Sequence, residues 1–152
     1  MRASENLEEV YDWCVAEGNI IPLSDFVEAK IISFLQIAEE DAISAQDAVT
    51  KKRWNSAYKL YYDVLHQLVE ALLLFDKIKV KNHQCLFAYL CQKHTKLEFN
   101  WNFFEKVRTK RNGINYYGTP VDYKDWKEVE LQFTLYVNTL KKEITKKLSS
   151  LK

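Results

Sequence analysis

Apolar residues recur at intervals of three and four along most of the chain, which is the spacing of amphipathic α-helices. No segment alternates apolar and polar residues with the period of two that marks a β-strand, so no sheet is expected. The pattern predicts an all-α fold, an antiparallel helical bundle of five to six helices. The two clearest apolar faces are Trp54, Ala57, Tyr58, Tyr61, Leu65, Leu68, Leu72 and Phe75, and Trp126, Val129, Phe133, Tyr136, Val137, Leu140, Ile144 and Leu148.

Capping residues predict where the helices begin and end. A short first helix is expected from Ser4 to Ala16, and Ser24 is the expected N-cap of the second. A fourth helix begins after Asn82, a fifth begins near Asn100, and Asp122 with Asp125 resembles a capping box for the last one. Because Gly and Asn tolerate positive φ, the fifth helix is predicted to end at Asn112-Gly113.

The chain has 152 residues, of which 47% are hydrophobic, and we expect one domain spanning residues 1–152. Its charge is unevenly distributed. Residues 1–50 carry 2 basic and 11 acidic side chains, a net of −9, whereas residues 51–152 carry 20 and 10, a net of +10. This asymmetry indicates either pairing between early and late helices or a basic surface for an acidic partner such as RNA.

Three cysteines and no secretory signal pattern favour a reduced, intracellular protein, and we expect a cytoplasmic location. Apolar runs such as residues 71–75 are too short to cross a bilayer, so no membrane association is expected. No glycine-rich phosphate loop and no Ser-His-Asp pattern occurs, and no cofactor is expected.

A zinc site is the one metal site that the sequence suggests, and helix geometry argues against it. His83 and His94 would lie about 16 Å apart on one helix, and Cys85 would point to the other side. A single ion needs its ligands within about 2 Å. We therefore expect no metal, and Cys85 and Cys91 are interpreted as small core residues.

Basic and aromatic residues concentrate between residues 106 and 118. Lys106, Arg108, Lys110 and Arg111 are followed by Asn112-Gly113 and then by Tyr116-Tyr117-Gly118. Such a cluster can be a helix C-terminus that complements the helix dipole, or a binding surface for phosphate. On the third helix, Lys59, Asp63, His66 and Glu70 form a polar face, interpreted as solvated surface or as acid–base groups in a groove.

Several of these segments together resemble the HEPN domain family over about residues 24–150. The resemblance rests on residues 54–62 (WNSAYKLYY), on residues 70–73 (EALL), on Asn82-His83 opening a helix, and on Arg111-Asn112 before a long final helix. It implies an all-α homodimer. Many members are metal-independent ribonucleases, often toxins paired with a small nucleotidyltransferase (MNT) antitoxin, and others bind RNA or nucleotides.

The family's motif is an Arg, often a polar residue, and then a His after four to six positions. Arg111 and Asn112 match its first part, and Tyr116 stands where the His would be. No histidine follows His94. Histidine exchanges protons near neutral pH, whereas tyrosine is a poor base there but still donates hydrogen bonds. The motif thus keeps its phosphate-binding part and loses its proton-transfer part.

The resemblance therefore implies a HEPN-like protein of a toxin–antitoxin or RNA-processing system that binds RNA or a nucleotide and has a degenerate ribonuclease motif. The expected binding residues are Arg108, Lys110, Arg111 and Tyr117, and the degenerate catalytic set is Arg111, Asn112 and Tyr116. Tyr116 or Tyr117 is also a candidate for modification by a nucleotidyltransferase partner. One alternative is an active metal-independent endoribonuclease in which Tyr116, Tyr117 or His66 replaces the His. The other is a non-enzymatic helical assembly module.

Overall fold

A computed structural model describes residues 6–152, and the predicted start of the first helix at Ser4 lies outside them. The predicted all-α bundle is confirmed. The helices are α1 (Leu7–Ala16), α2 (Glu28–Thr50), α3 (Trp54–Leu74), α4 (His83–Lys93), α5 (Trp101–Tyr117) and α6 (Tyr123–Ser149), with a 3-10 turn at Thr95–Leu97.

Three predicted helix starts are confirmed. The Asn82 side chain accepts a hydrogen bond from the Cys85 amide at 2.8 Å, and Asn100 begins α5 in the same manner. Asp122 and Asp125 form a reciprocal capping box at α6. The prediction for α2 is wrong, because this helix begins three residues beyond Asp25 and its N-cap position, Val27, makes no side-chain hydrogen bond.

The segment before α2 is extended instead, which corrects the expectation that the protein has no sheet. Strand β1 (Ile20–Pro22) pairs antiparallel with β2 (Ile78–Val80), with Ile21 opposite Lys79. Three residues are too few to show a period of two, so the pattern could not reveal these strands. The pairing joins the connector after α1 to the connector between α3 and α4.

Helix α3 lies at the centre of the bundle. It runs antiparallel to α2, because Tyr61 donates to Gln46 at 3.0 Å whereas Gln67, further along α3, donates to the earlier residue Asp41 at 3.1 Å. Helix α6 runs in the same direction as α3, because the Trp54 and Tyr123 rings lie 5.1 Å apart at one end. At the other end, Lys147 lies over Phe75. Helix α5 packs between α4 and α6.

Aromatic contacts hold α5 in this position. The Phe87 ring of α4 stacks on Phe104 of α5 at 4.6 Å between ring centres. On its other side, Phe103 meets Phe133 and Tyr136 of α6 edge to face. Offset or edge-to-face pairs of buried rings are the favoured aromatic geometries. The first turn of α5 is therefore anchored on two helices, and its C-terminal half is presented to α3 and to the start of α4.

Two of the three cysteines form a disulfide, which corrects the expectation of reduced thiols. Cys14 of α1 is bonded to Cys85 of α4, 71 residues away in sequence. Both are fully buried, and Cys91 is a buried free thiol. Disulfides persist in oxidising surroundings, so the cysteines do not favour a reducing compartment, and the cytoplasmic location stays a prediction.

The opposite charges of the two parts of the chain lie on the surface. Glu39 and Glu40 on α2 and Lys142 and Lys146 on α6 are all exposed. The structure therefore presents the asymmetry as exposed charge, and an acidic partner such as RNA stays a prediction. Within residues 6–152 no helix combines the length and the apolar character needed to span a membrane.

Candidate functional site

Helix α5 carries the predicted site residues without interruption. It continues through Asn112-Gly113 to Tyr117 and is capped by Gly118 at φ 62°, so the predicted break at Asn112-Gly113 is wrong. The amide of Thr119 donates to the Gly113 carbonyl at 2.9 Å. A glycine inside a helix costs only about 1 kcal/mol relative to alanine, which the packing of α5 offsets. Arg111 therefore lies within a helix, nearly two turns before its end.

Arg111 lies on a tyrosine ring of the central helix. Its guanidinium carbon is 5.0 Å from the ring centre of Tyr62 on α3 and 6.0 Å from that of Tyr116. Nη1 of Arg111 donates to Oδ1 of Asn112 at 3.1 Å. The half-buried guanidinium is thus oriented by two tyrosine rings at cation–π distance and by one amide oxygen. The three residues of the degenerate motif, Arg111, Asn112 and Tyr116, are brought together.

Two cavities meet at Arg111. The first, of about 310 Å³, lies between α5 and the start of α4 and is called the Arg111 cavity below. The second, of about 370 Å³, lies between α5 and α3. The Arg111 cavity is lined by Asn82, His83, Arg108, Arg111, Asn112 and Tyr116, and the second by Ser56, Lys59, Leu60, Asp63, Arg111 and Asn115.

The polar face of α3 borders this site and is not a plain solvated surface. Lys59 and Asp63 line the second cavity, and both are half-buried. Burial raises the pKa of Asp63, and the nearby Arg111 guanidinium opposes that shift. The alternative that this face places acid–base groups in a groove therefore agrees better with the structure.

A histidine that the sequence did not assign to the site lies in the Arg111 cavity. Nδ1 of His83, the first residue of α4, is 2.9 Å from the Tyr62 hydroxyl. The His83 ring lies 4.3 Å from that of His66. The sequence singled out His83 only as the residue after the Asn82 cap and as a rejected zinc ligand, because the contact with Tyr62 depends on how α4 and α3 pack together.

Neither of these histidines is a proton carrier near neutral pH. Burial, followed by the charges of Arg111 and Arg108, lowers the pKa of His83 to about 4. Burial, followed by the neighbouring His83, lowers the pKa of His66 to about 3. Both rings are therefore neutral at pH 7. The alternative in which His66 replaces the motif His loses support, since a useful acid–base group has a pKa near the working pH.

Arg108 forms a structural ion pair and also lines the Arg111 cavity. Its Nη2 donates to Oε2 of Glu105 at 2.6 Å, and the two side chains are 7% and 6% exposed. The other oxygen of Glu105 accepts from Nε2 of the buried Gln84 at 3.0 Å. Arg108 thus adds positive charge to the Arg111 cavity while its guanidinium anchors α5 to α4 through Glu105 and Gln84.

The other two predicted binding residues face away from Arg111. Lys110 is ion-paired with Asp125 of α6 at 3.2 Å, and Tyr117 is 80% exposed. Tyr117 and Lys110 line a separate groove of about 620 Å³ between α5 and the chain that follows it. The structure therefore separates Tyr116, on the Arg111 side, from Tyr117.

The residues that suggested zinc have other partners. His83 contacts Tyr62, His94 contacts Asp76 at 2.8 Å, and Cys85 is in the disulfide. In the described part of the chain, no group of three or more His, Cys, Asp or Glu side chains could hold a metal ion.

The Arg111 cavity can therefore hold an anion. It offers a guanidinium fork, an amide and a neutral imidazole, and guanidinium groups bind phosphate oxygens in a bidentate manner.

Comparison of the chain with protein-family models, with curated proteins and with solved structures finds no match.

Proposed function

We propose that the protein binds RNA or a nucleotide through a phosphate group held in the Arg111 cavity. The observation that carries this proposal is the position of Arg111, half-buried on the Tyr62 ring at 5.0 Å and facing a cavity. A guanidinium held in this way is pre-oriented for a phosphate, so less side-chain entropy is lost on binding.

The proposed role is binding rather than cleavage. Metal-independent cleavage of RNA needs a group that removes the 2′-hydroxyl proton and a group that protonates the leaving 5′-oxygen. His83 and His66 are the histidines beside Arg111, and both have pKa values well below neutral. Arg111 and Asn112 supply contacts to the phosphate without supplying proton transfer.

The family resemblance adds two partners to this proposal. One is a second copy of the chain, with both Arg111 cavities facing one RNA backbone. The other is a small nucleotidyltransferase of a toxin–antitoxin system, for which Tyr116, at 67% exposed, is the accessible tyrosine beside Arg111. Sedimentation of the purified protein at tens of micromolar tests the first, and a monomer there would exclude the dimer.

Arg111→Ala is the test of the proposed binding. We expect the affinity for short single-stranded RNA to fall about tenfold or more, because hydrogen bonds to charged groups are worth about 1.5–3 kcal/mol. The slope of log affinity against log salt should fall by about one. Fluorescence anisotropy at several salt concentrations measures both quantities.

Lys110→Ala is the matched control. This charge lies one residue away in sequence but is ion-paired with Asp125 and lines the other groove, so its loss should change affinity much less. A larger loss of RNA affinity for Lys110→Ala than for Arg111→Ala would mean that RNA binds in the 620 Å³ groove instead. Salt-independent affinity would contradict phosphate binding altogether.

A further inference from the structure

The hydroxyl of Tyr62 lies 2.9 Å from Nδ1 of His83, and this contact bears on which nitrogen of His83 carries the ring proton. Tyr62 is fully buried, and burial raises the pKa of its phenol, so the phenol keeps its proton. A buried hydroxyl must donate that proton to an acceptor or lose a hydrogen bond that water would supply. Among the described residues, Nδ1 of His83 is the acceptor that lies within reach of this hydroxyl, at 2.9 Å.

A neutral imidazole has one donor nitrogen and one acceptor nitrogen. Since Nδ1 accepts from Tyr62, the ring proton must be on Nε2. His83 lines the Arg111 cavity, so its ring is within reach of a ligand held there. The surroundings keep the ring neutral, because burial disfavours the charged form and the Arg111 and Arg108 guanidinium groups of α5 add to that effect.

We propose that His83 is a ligand-binding residue of the Arg111 cavity, a neutral imidazole that Tyr62 holds in the Nε2–H form so that it donates a hydrogen bond to a phosphate oxygen. This inference rests on the function proposed above and adds a residue and a chemical role to it. His83 then contributes a hydrogen bond without taking part in proton transfer. Tyr62 is its positioning residue, as well as the surface on which Arg111 lies.

The proposed role predicts how binding depends on pH. The titratable or charged groups around His83 are Tyr62 and His66 on α3 and Arg108 and Arg111 on α5, and Lys79 of β2 acts on His66. Burial keeps the phenol of Tyr62 protonated and the His66 and His83 rings neutral near pH 7, and a phosphodiester stays singly negative there. Affinity should therefore be constant between about pH 6 and pH 8, whereas an imidazolium contact would weaken as the pH rises past about 6.5.

The tautomer is measured directly by long-range ¹H–¹⁵N NMR of the full-length ¹⁵N-labelled protein. We expect the His83 spectrum to show an unprotonated Nδ1 and a protonated Nε2 across that pH range. In Tyr62→Phe both neutral forms should be populated, because the donor to Nδ1 is gone. A protonated Nδ1 in the wild-type protein, or a His83 that titrates near its ordinary pKa, would overturn the inference.

Binding is measured with a fluorescently labelled, uncleavable 2′-O-methyl oligonucleotide. His83→Phe keeps a flat ring but removes the donor, and the affinity should fall about tenfold. His83→Gln keeps an N–H donor and should recover part of the loss. His94→Phe is the control, since that ring pairs with Asp76 in another part of the fold, and it should bind as the wild-type protein does.

The two proposals fail in different ways in this experiment. If Arg111→Ala weakens binding and His83→Phe does not, the phosphate site stands and the role of His83 is wrong. If the wild-type protein does not bind the oligonucleotide, or if Arg111→Ala binds equally well, the proposed function is wrong and the role of His83 falls with it.

Discussion

Arg108 and Glu105 form a nearly buried ion pair within α5, with Nη2 of Arg108 2.6 Å from Oε2 of Glu105. Gln84 of α4 completes the contact by donating to the other carboxylate oxygen. A buried pair of this kind joins the helix that carries Arg111 to the helix that carries His83. Its geometry thus fixes the two sides of the Arg111 cavity relative to each other.

Glu105→Ala should destabilise the protein strongly. Removing one partner of a buried ion pair leaves the other charge uncompensated in a low-dielectric environment, at a cost of about 3–5 kcal/mol. Urea unfolding followed by circular dichroism measures the change. Glu128→Ala is the control, because Glu128 and its partner Lys106 are each 44% exposed and such surface pairs contribute about 0–1 kcal/mol. Equal small effects of the two substitutions would contradict a structural role for Glu105.

The disulfide should contribute substantially to stability. Cys14 and Cys85 close a loop of 71 residues, and the chain-entropy relation for such a loop gives about 4 kcal/mol. We expect reductant to lower the free energy of unfolding by about this amount. The double replacement of both cysteines by alanine should be equally destabilised and insensitive to reductant. Unfolding curves that coincide with and without reductant would mean that the bond does not form in solution.

Acid should destabilise the protein because two partly buried histidines bind protons more readily in the unfolded chain. The pKa values of His66 and His83 fall from 6.5 to about 3 and about 4 on folding, so each binds a proton less readily in the folded protein. Between about pH 4 and pH 6.5 the unfolded chain therefore carries more protons, and stability falls as the pH falls. The slope is at most about 1.4 kcal/mol per pH unit for each histidine.

Urea unfolding at a series of pH values measures this slope. Replacement of both His66 and His83 by phenylalanine should flatten the curve over the same range. A wild-type protein whose stability is constant between about pH 4 and pH 6.5 would show that the two rings are not neutralised by folding.

Tyr116→His should introduce ribonuclease activity into a protein that otherwise has little. The Tyr116 ring centre lies 6.0 Å from the Arg111 guanidinium carbon, so a histidine there adds an exposed proton carrier beside the proposed phosphate site. A positioned acid–base group contributes about 10²–10⁴-fold to a rate. Cleavage of a fluorogenic RNA in the presence of a chelator measures the gain, and a further Arg111→Ala substitution should abolish it.

Tyr117→His is the matched control for that gain. It places the same new side chain at the next position, where the residue lines the groove on the other side of α5, and should not cleave. Strong cleavage by the wild-type protein that is lost in Tyr116→Phe would instead make the tyrosine itself catalytic. A folded Tyr116→His protein that binds RNA but does not cut would mean that the cavity lacks more than one group.

The features that the sequence predicted correctly are those that depend on nearby residues. The apolar period of three and four identified α3 and α6, because the face that a helix buries repeats with its turn. The caps at Asn82 and Asp122 were also predicted from the sequence, since a capping side chain binds amides two or three residues ahead. Arg111, Asn112 and Tyr116 were grouped by the family motif, and the structure brings them together because they lie within two turns of one uninterrupted helix.

The tertiary structure decided the features that depend on contacts between distant segments. Glycine often ends a helix, and Gly113 costs α5 about 1 kcal/mol relative to alanine. Packing of α5 against α4 and α6 outweighs this cost, so the helix continues. The Cys14–Cys85 bond and the contact between Tyr62 and His83 join residues far apart in the chain. Periodicity and capping carry no information about such pairs, because both describe a single helix, whereas the site is built where three helices meet.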